Sequence, residues 1–244
     1  MKCFAPVYKR ELRSYFNSPV AYVFITVFLI AMAGCTFYLG RFYESMQADL
    51  SVFFVWHPWL YLFLIPAVGM RLWAEERRSG TIELLFTLPI SLGEAVSAKF
   101  LAGWTFIALA LLLTFPMIIT VNILGEPDNG VIFTSYIGSL LMAGAYLAVS
   151  CFTSSLTKNQ VISFVMSVII CFVLVLTGLG VFTQHLTNWV PVQIAEFISL
   201  FSFSTHFHAL QRGVVDTRDV LFFLSTIGVL LAGTMVVLEN KKHE

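Results

Sequence analysis

Charge is scarce in this sequence. Asp, Glu, Lys and Arg make up 11% of 244 residues, with 14 basic and 14 acidic side chains and a formal net charge of zero. A soluble domain carries about 25% charged residues and needs them to cover its surface. The balance also leaves no basic surface for a phosphate backbone, which excludes a nucleic-acid binder. Cysteine is nearly as scarce: Cys3, Cys35, Cys151 and Cys171 lie far apart, with no C-x-x-C pair. That spacing offers neither a disulfide framework nor a thiol-bound metal site, and a thiol in an apolar run packs as a small hydrophobe. Catalytic signatures are missing as well. There is no His-Glu-x-x-His, no Gly-x-Ser-x-Gly and no paired Asp within an apolar run. No Gly-x-x-x-x-Gly-Lys-Ser/Thr phosphate loop appears, so an ATP-driven step would need its ATPase on a separate chain. The chain therefore reads as a non-enzyme with no cofactor and no metal of its own.

Apolar residues are what the sequence has: 58% are hydrophobic and 24 are Phe. The gaps between charges delimit continuous apolar runs without the period-2 alternation of barrel strands, so helices are expected to cross the bilayer. A crossing of ~30 Å takes about 20 residues. The expected fold is an all-α polytopic membrane protein with six spans, over 19–40, 57–74, 100–124, 131–153, 161–183 and 220–238. Eleven Lys and Arg fall on the side that holds both ends of the chain and three (Arg41, Arg212, Arg218) on the other. This bias predicts cytoplasmic termini in a bacterial inner membrane. A cleaved lipoprotein signal at Met32-Ala33-Gly34-Cys35 is the weaker reading, because the run is longer than a usual signal core.

Residues 1–18 precede the first span. On a helical wheel Phe4, Val7, Tyr8, Leu12, Tyr15 and Phe16 share one side, while Lys9, Arg10 and Arg13 share the other. An amphipathic interface helix in the cytoplasmic headgroup layer is expected, broken at Asn17-Ser18-Pro19. Residues 19–244 then form a single transmembrane domain. Pro66 and Pro116 fall inside spans and should bend them.

The loop between spans two and three, over 75–91, holds the densest charge and a compact apolar core. Gly80 ends a charged helix. Thr81 can cap a short helix with Glu83 in its first turn, and Pro89 stops it. Ser91 and Glu94 form a capping box that opens the third span. A short helix bearing Ile82, Leu84, Leu85, Phe86 and Leu88 is thus held between two breaks at the cytoplasmic surface. It serves either to dock another protein or to pack on its own bundle. Ser135, Ser139 and Ala143, and again Ser163, Ser167 and Cys171, recur at four-residue spacing. Such ladders let helices approach closely, within the bundle or between subunits. Residues 197–211 are uncharged but too short for a span, so segment 184–212 reads as interfacial or re-entrant. His206 and His208 diverge by ~200° on a helix, which favours a structural role over a metal pair.

The run Glu75-Glu76-Arg77-Arg78-Ser79-Gly80-Thr81-Ile82-Glu83-Leu84-Leu85 resembles the E-E-K/R-x-S-G-T-x-E-L-L motif of type-2 ABC exporter permeases. Arg212-Gly213-Val214-Val215-Asp216-Thr217-Arg218-Asp219 resembles an element of their GldF/NosY-like branch. The resemblance spans nearly the whole chain. It implies that the short helix over 82–88 is a coupling helix, seated in a groove of a cytosolic ABC ATPase subunit. Glu75, Glu76, Arg77, Arg78, Gly80, Thr81, Glu83, Leu84, Leu85 and Phe86 would be its coupling residues. The N-terminal helix, with Lys9, Arg10 and Arg13, would be an interface helix beside that subunit. Two permease subunits would pair with two ATPases, which hold the ATP and Mg, with the first and fifth spans at the permease seam. Segment 197–211 would form short re-entrant helices. A GldG-like accessory membrane protein with an extracytoplasmic domain is a further implied partner. The function implied is that of an ABC exporter permease. The alternatives are a membrane subunit that transmits force to the accessory protein, and an ATP-independent channel or carrier.

Overall fold

The first corner of the chain is made by Ser18, whose side chain accepts from the Val20 amide at 3.3 Å, with Pro19 in the first helical turn. This is the break expected from Asn17-Ser18-Pro19, and it separates α1 (Phe4–Asn17) from α2 (Pro19–Gly34). The computed structural model describes residues 4–44, 46–81, 90–187 and 191–241. A π-helical turn, Cys35–Leu39, extends α2. There follow α3 (Ser51–Val55), α4 (His57–Gly69), α5 (Arg71–Ser79), α6 (Leu92–Leu112), α7 (Pro116–Leu124) and α8 (Asn129–Leu156). The chain continues through α9 (Gln160–Leu176), α10 (Gly180–Thr187), α11 (Val192–Ser199), α12 (Phe203–Gln211) and α13 (Thr217–Asn240). Every regular element among the described residues is helical.

Four helical stretches are long and apolar enough to cross a membrane: Pro19–Leu39, Leu92–Leu124, Asn129–Leu156 and Thr217–Asn240. They begin where local chemistry allows. Ser91 caps α6 by accepting from the Glu94 amide, as the capping box predicts. Asp128 caps α8, Asn159 caps α9 and Asp216 caps α13. Pro116 interrupts Leu92–Leu124, leaving a turn between α6 and α7.

Two of the expected spans differ from the structure. The run over 57–74 is not continuous, because the helix stops at Gly69 and restarts at Arg71. The run over 161–183 stops at Leu176, giving a helix of 17 residues. At Gly178 the chain passes so close to α12 that an added Cβ would lie 2.1 Å from Ser202 Oγ. Hydropathy extends across both sites, but packing ends the helix at each.

The core is organised around α8. It touches α4, α5, α6, α9, α12 and α13, and is buried along most of its length. Small side chains allow this. Ser135, Ser139 and Ala143 are all buried, and a Cβ on Gly144 would meet Trp104 and Ile227 at 3.0 Å. The matching ladder on α9, Ser163, Ser167 and Cys171, is also fully buried, and the Thr153 and Ser167 hydroxyls bond across the contact. Both ladders therefore serve packing within the bundle. The opposite faces of α2 and α9 stay exposed, with Val23, Ile30, Val161 and Ile169 outward.

The bundle has two distinct ends. One gathers α1, α5, the start of α6 and the C-terminal ends of α8 and α13; it is called the proximal end below. The distal end holds α3 and the short helices α10 to α12. There His206 is buried, stacked on Phe222 at 3.9 Å between ring centroids. Its Nδ1 lies 2.6 Å from Asp219 Oδ1 and its Nε2 lies 2.9 Å from the Leu200 carbonyl. His208 faces Gln211 instead. The two histidines thus serve separate contacts, and His206 ties α12 and the turn after α11 to α13.

Candidate functional site

Five helices meet at the proximal end, and each brings a charge or a carbonyl. Helix α1 lies across α6, with Tyr15 stacked on Phe106 at 5.1 Å and Tyr8 Oη donating to Thr105 at 3.0 Å. Val7 is buried, and Leu12, Tyr15 and Phe16 pack against the core. The apolar side of α1 is thus satisfied by α6 rather than by lipid tails. Lys9, Arg10 and Arg13 remain exposed on the other side.

Glu11 breaks the pattern, because it sits on the packed side of α1. It faces Lys99 of α6, which is only 3% exposed. Lys99 Nζ lies 2.8 Å from Glu76 Oε1 and 3.5 Å from Glu11 Oε1. It also donates to the Leu72 carbonyl at 3.2 Å and stands 5.2 Å from the centre of the Trp73 ring. One buried ammonium therefore holds α1, α5 and α6 together. Burying a charge is tolerated only with such partners. Arg10 joins at the rim, bonding Glu11 at 2.7 Å and approaching Glu76 at 3.8 Å. Its hydrogen bond to Glu11 pushes the guanidinium further above its ordinary range.

The other anchor is the end of α8. Arg77 donates to the Ser155 carbonyl at 2.8 Å, and Lys241 donates to the carbonyls of Ser155 and Leu156. Two cations thus satisfy the last carbonyls of the central helix, where its dipole favours them. Ser154 donates to the Met70 carbonyl at 2.9 Å and accepts from the Trp73 and Ala74 amides, each at 3.0 Å.

The expected site residues are distributed as follows. Glu76 and Arg77 are brought into the buried assembly, Glu76 onto Lys99 and Arg77 onto α8. Glu75 and Arg78 lie exposed on the opposite side of α5. Gly80 ends α5 in the left-handed conformation at φ 72°, the C-terminal role its position predicts. The Thr81 hydroxyl meets Ser79 Oγ at 2.9 Å and approaches the Glu76 carbonyl. Glu83, Leu84, Leu85 and Phe86, with the expected helix over 82–88, lie outside the described residues.

Sequence reading missed Glu11, Lys99 and Ser154. Glu11 carried a signal: a carboxylate on the apolar side of an amphipathic helix, one turn from Tyr8 and Tyr15, needs a buried partner. Lys99 looked like a span boundary, and nothing near it marked it as enclosed.

Among the described residues, the site holds no nucleophile poised beside a base. What it offers is mechanical. Trp73 and Glu76 of α5 both contact Lys99, which links α5 to α6 and α1.

Residues 5–242 match the family model described as ABC-2 family transporter protein. No curated protein sequence matches the chain.

Proposed function

The chain belongs to the ABC-2 transporter family, and from that premise we propose that it is the membrane-spanning permease subunit of an ATP-driven exporter. A separate cytosolic ATPase subunit hydrolyses ATP. The segment over 82–88 is its coupling helix, and α1 is the interface helix beside it. The permease crosses the bacterial inner membrane six times, with α4–α5 and α9 as the second and fifth spans. Its proximal end, where α1 and the end of α13 lie, faces the cytoplasm. Two copies pair through the outward apolar faces of α2 and α9, and two ATPases serve them.

The observation that carries this reading is the Lys99 node. The segment 82–88 follows α5 closely in sequence, and Lys99 binds α5 through Glu76 and Leu72 while also binding Glu11 of α1. A displacement of the coupling segment is therefore passed through α5 to α6 and α8. The motif resemblance and the apolar character of Leu84 and Leu85 support a docking role for that segment.

Replacing Leu84 and Leu85 together by Asp puts two carboxylates into the proposed contact. The expected outcome is loss of the co-purifying ATPase, or loss of its stimulated hydrolysis, with the permease still inserted in the membrane. Full assembly and full stimulation in that double variant would overturn the assignment.

A further inference from the structure

The second span is broken at one residue, and the break is capped from another helix. The last hydrogen bond of α4 runs from the Met70 amide to the Pro66 carbonyl at 2.9 Å. A new helix, α5, starts at Arg71, and the residue in its N-cap position, Met70, gives no side-chain cap. The first amides of a helix need acceptors from somewhere. Here the Ser154 hydroxyl supplies one, accepting from Trp73 and Ala74 while donating to the Met70 carbonyl. A hydroxyl has one donor and two acceptor positions, and all are used. Ser154 is fully buried on α8. One turn earlier, Ser150 packs so tightly on Gly69 that an added Cβ would sit 2.3 Å from Ser150 Cβ.

We propose that Ser154 is the positioning residue of a hinge at Met70, about which α5 turns against α4 when the coupling segment is displaced. This rests on the permease reading above for its purpose, but not for its geometry. A helix ladder interrupted by an inserted side chain is a recognised cause of a kink. It also has two arrangements. In one, Ser154 caps Trp73 and the helix is broken. In the other, the hydroxyl withdraws, Trp73 bonds the Gly69 carbonyl four residues back, and the helix runs straight. Exchange between them swings Trp73 and Glu76 past Lys99, so the hinge and the charge node move as one device.

The test uses the full chain in lipid nanodiscs, with spin labels at Arg78 and Lys158, both exposed at the proximal end. Ser154→Ala should broaden or shift the distance distribution between them. It should also speed amide exchange over residues 71–79 by about tenfold, as loss of a helix cap would. Ser150→Ala removes a buried hydroxyl that makes no hydrogen bond among the described residues and should leave both readouts unchanged. An unchanged distance distribution and unchanged exchange in Ser154→Ala overturn the hinge. In the assembled complex, ATP should move the labels in the wild type and move them less in Ser154→Ala. A complex that forms and hydrolyses ATP without moving the labels overturns the hinge alone. A chain that never binds an ATPase overturns the permease reading and leaves the hinge geometry standing.

Discussion

Lys99 shows how a single side chain can set the mechanics of a membrane protein. Its ammonium is enclosed by two carboxylates, a carbonyl and an indole face. Desolvating it is costly, and its partners offset that cost only while all remain in place. Lys99→Met leaves Glu76 and Glu11 facing a hydrophobe. Thermal unfolding in detergent should register a loss of about 3–5 kcal/mol, the scale for breaking one partner of a buried pair. Adding Glu11→Gln and Glu76→Gln removes the stranded charges and should recover most of it. Glu76 was visible in the sequence as a candidate site residue, and Glu11, which the amphipathic pattern of α1 passes over, was legible only as a carboxylate on its apolar side. Their common partner was not, because Lys99 stands 88 residues from Glu11 along the chain.

At the scale of elements, the central helix depends on small residues more than on bulky ones. Helix α8 accepts α4 at Gly69, and α6 and α13 at Gly144. Gly69→Ala would place a methyl group 2.3 Å from Ser150 Cβ, within backbone that is already in contact. Overpacking of this kind costs about 1–3 kcal/mol. The expected result is a lower unfolding temperature in Gly69→Ala and its recovery on adding Ser150→Gly. The small-residue ladders of α8 and α9 were legible as spacing, since four-residue recurrence puts them on one face. Their direction was not legible: the same spacing serves a contact inside the bundle or between subunits. Burial of Ser163, Ser167 and Cys171 decides for the inside. The ends of the helices divide in the same way. Ser91, Asp128 and Asp216 announce their caps locally, whereas the breaks at Met70 and Gly178 arise from Ser154 and Ser202 on distant segments.

For the whole molecule, the two ends differ in what they hold together. The proximal end concentrates buried charge, and the distal end ties short helices to α13 through His206 and Asp219. The proposed topology, six crossings with the proximal end inside, makes a direct prediction. In intact cells and a cysteine-free background, Met46→Cys should react with a membrane-impermeant maleimide. Met46 is 93% exposed at the distal end. Glu75→Cys, exposed on α5, should react only after the cells are opened. The reverse pattern would invert the topology and remove the coupling segment from the reach of a cytosolic ATPase.

The sequence by itself determined that this is a helical membrane protein with an amphipathic start and capped spans, because hydropathy, helical period and capping are properties of neighbouring residues. It also marked 75–91 as the stretch with a message beyond crossing the bilayer. Only the tertiary structure decided which charges are enclosed, which ladders face inward and where the helix over 57–79 is interrupted. Those outcomes come from pairs such as Ser154 with Met70, 84 residues apart. Their energy exists only once α8 brings the two surfaces together, and no local pattern records it.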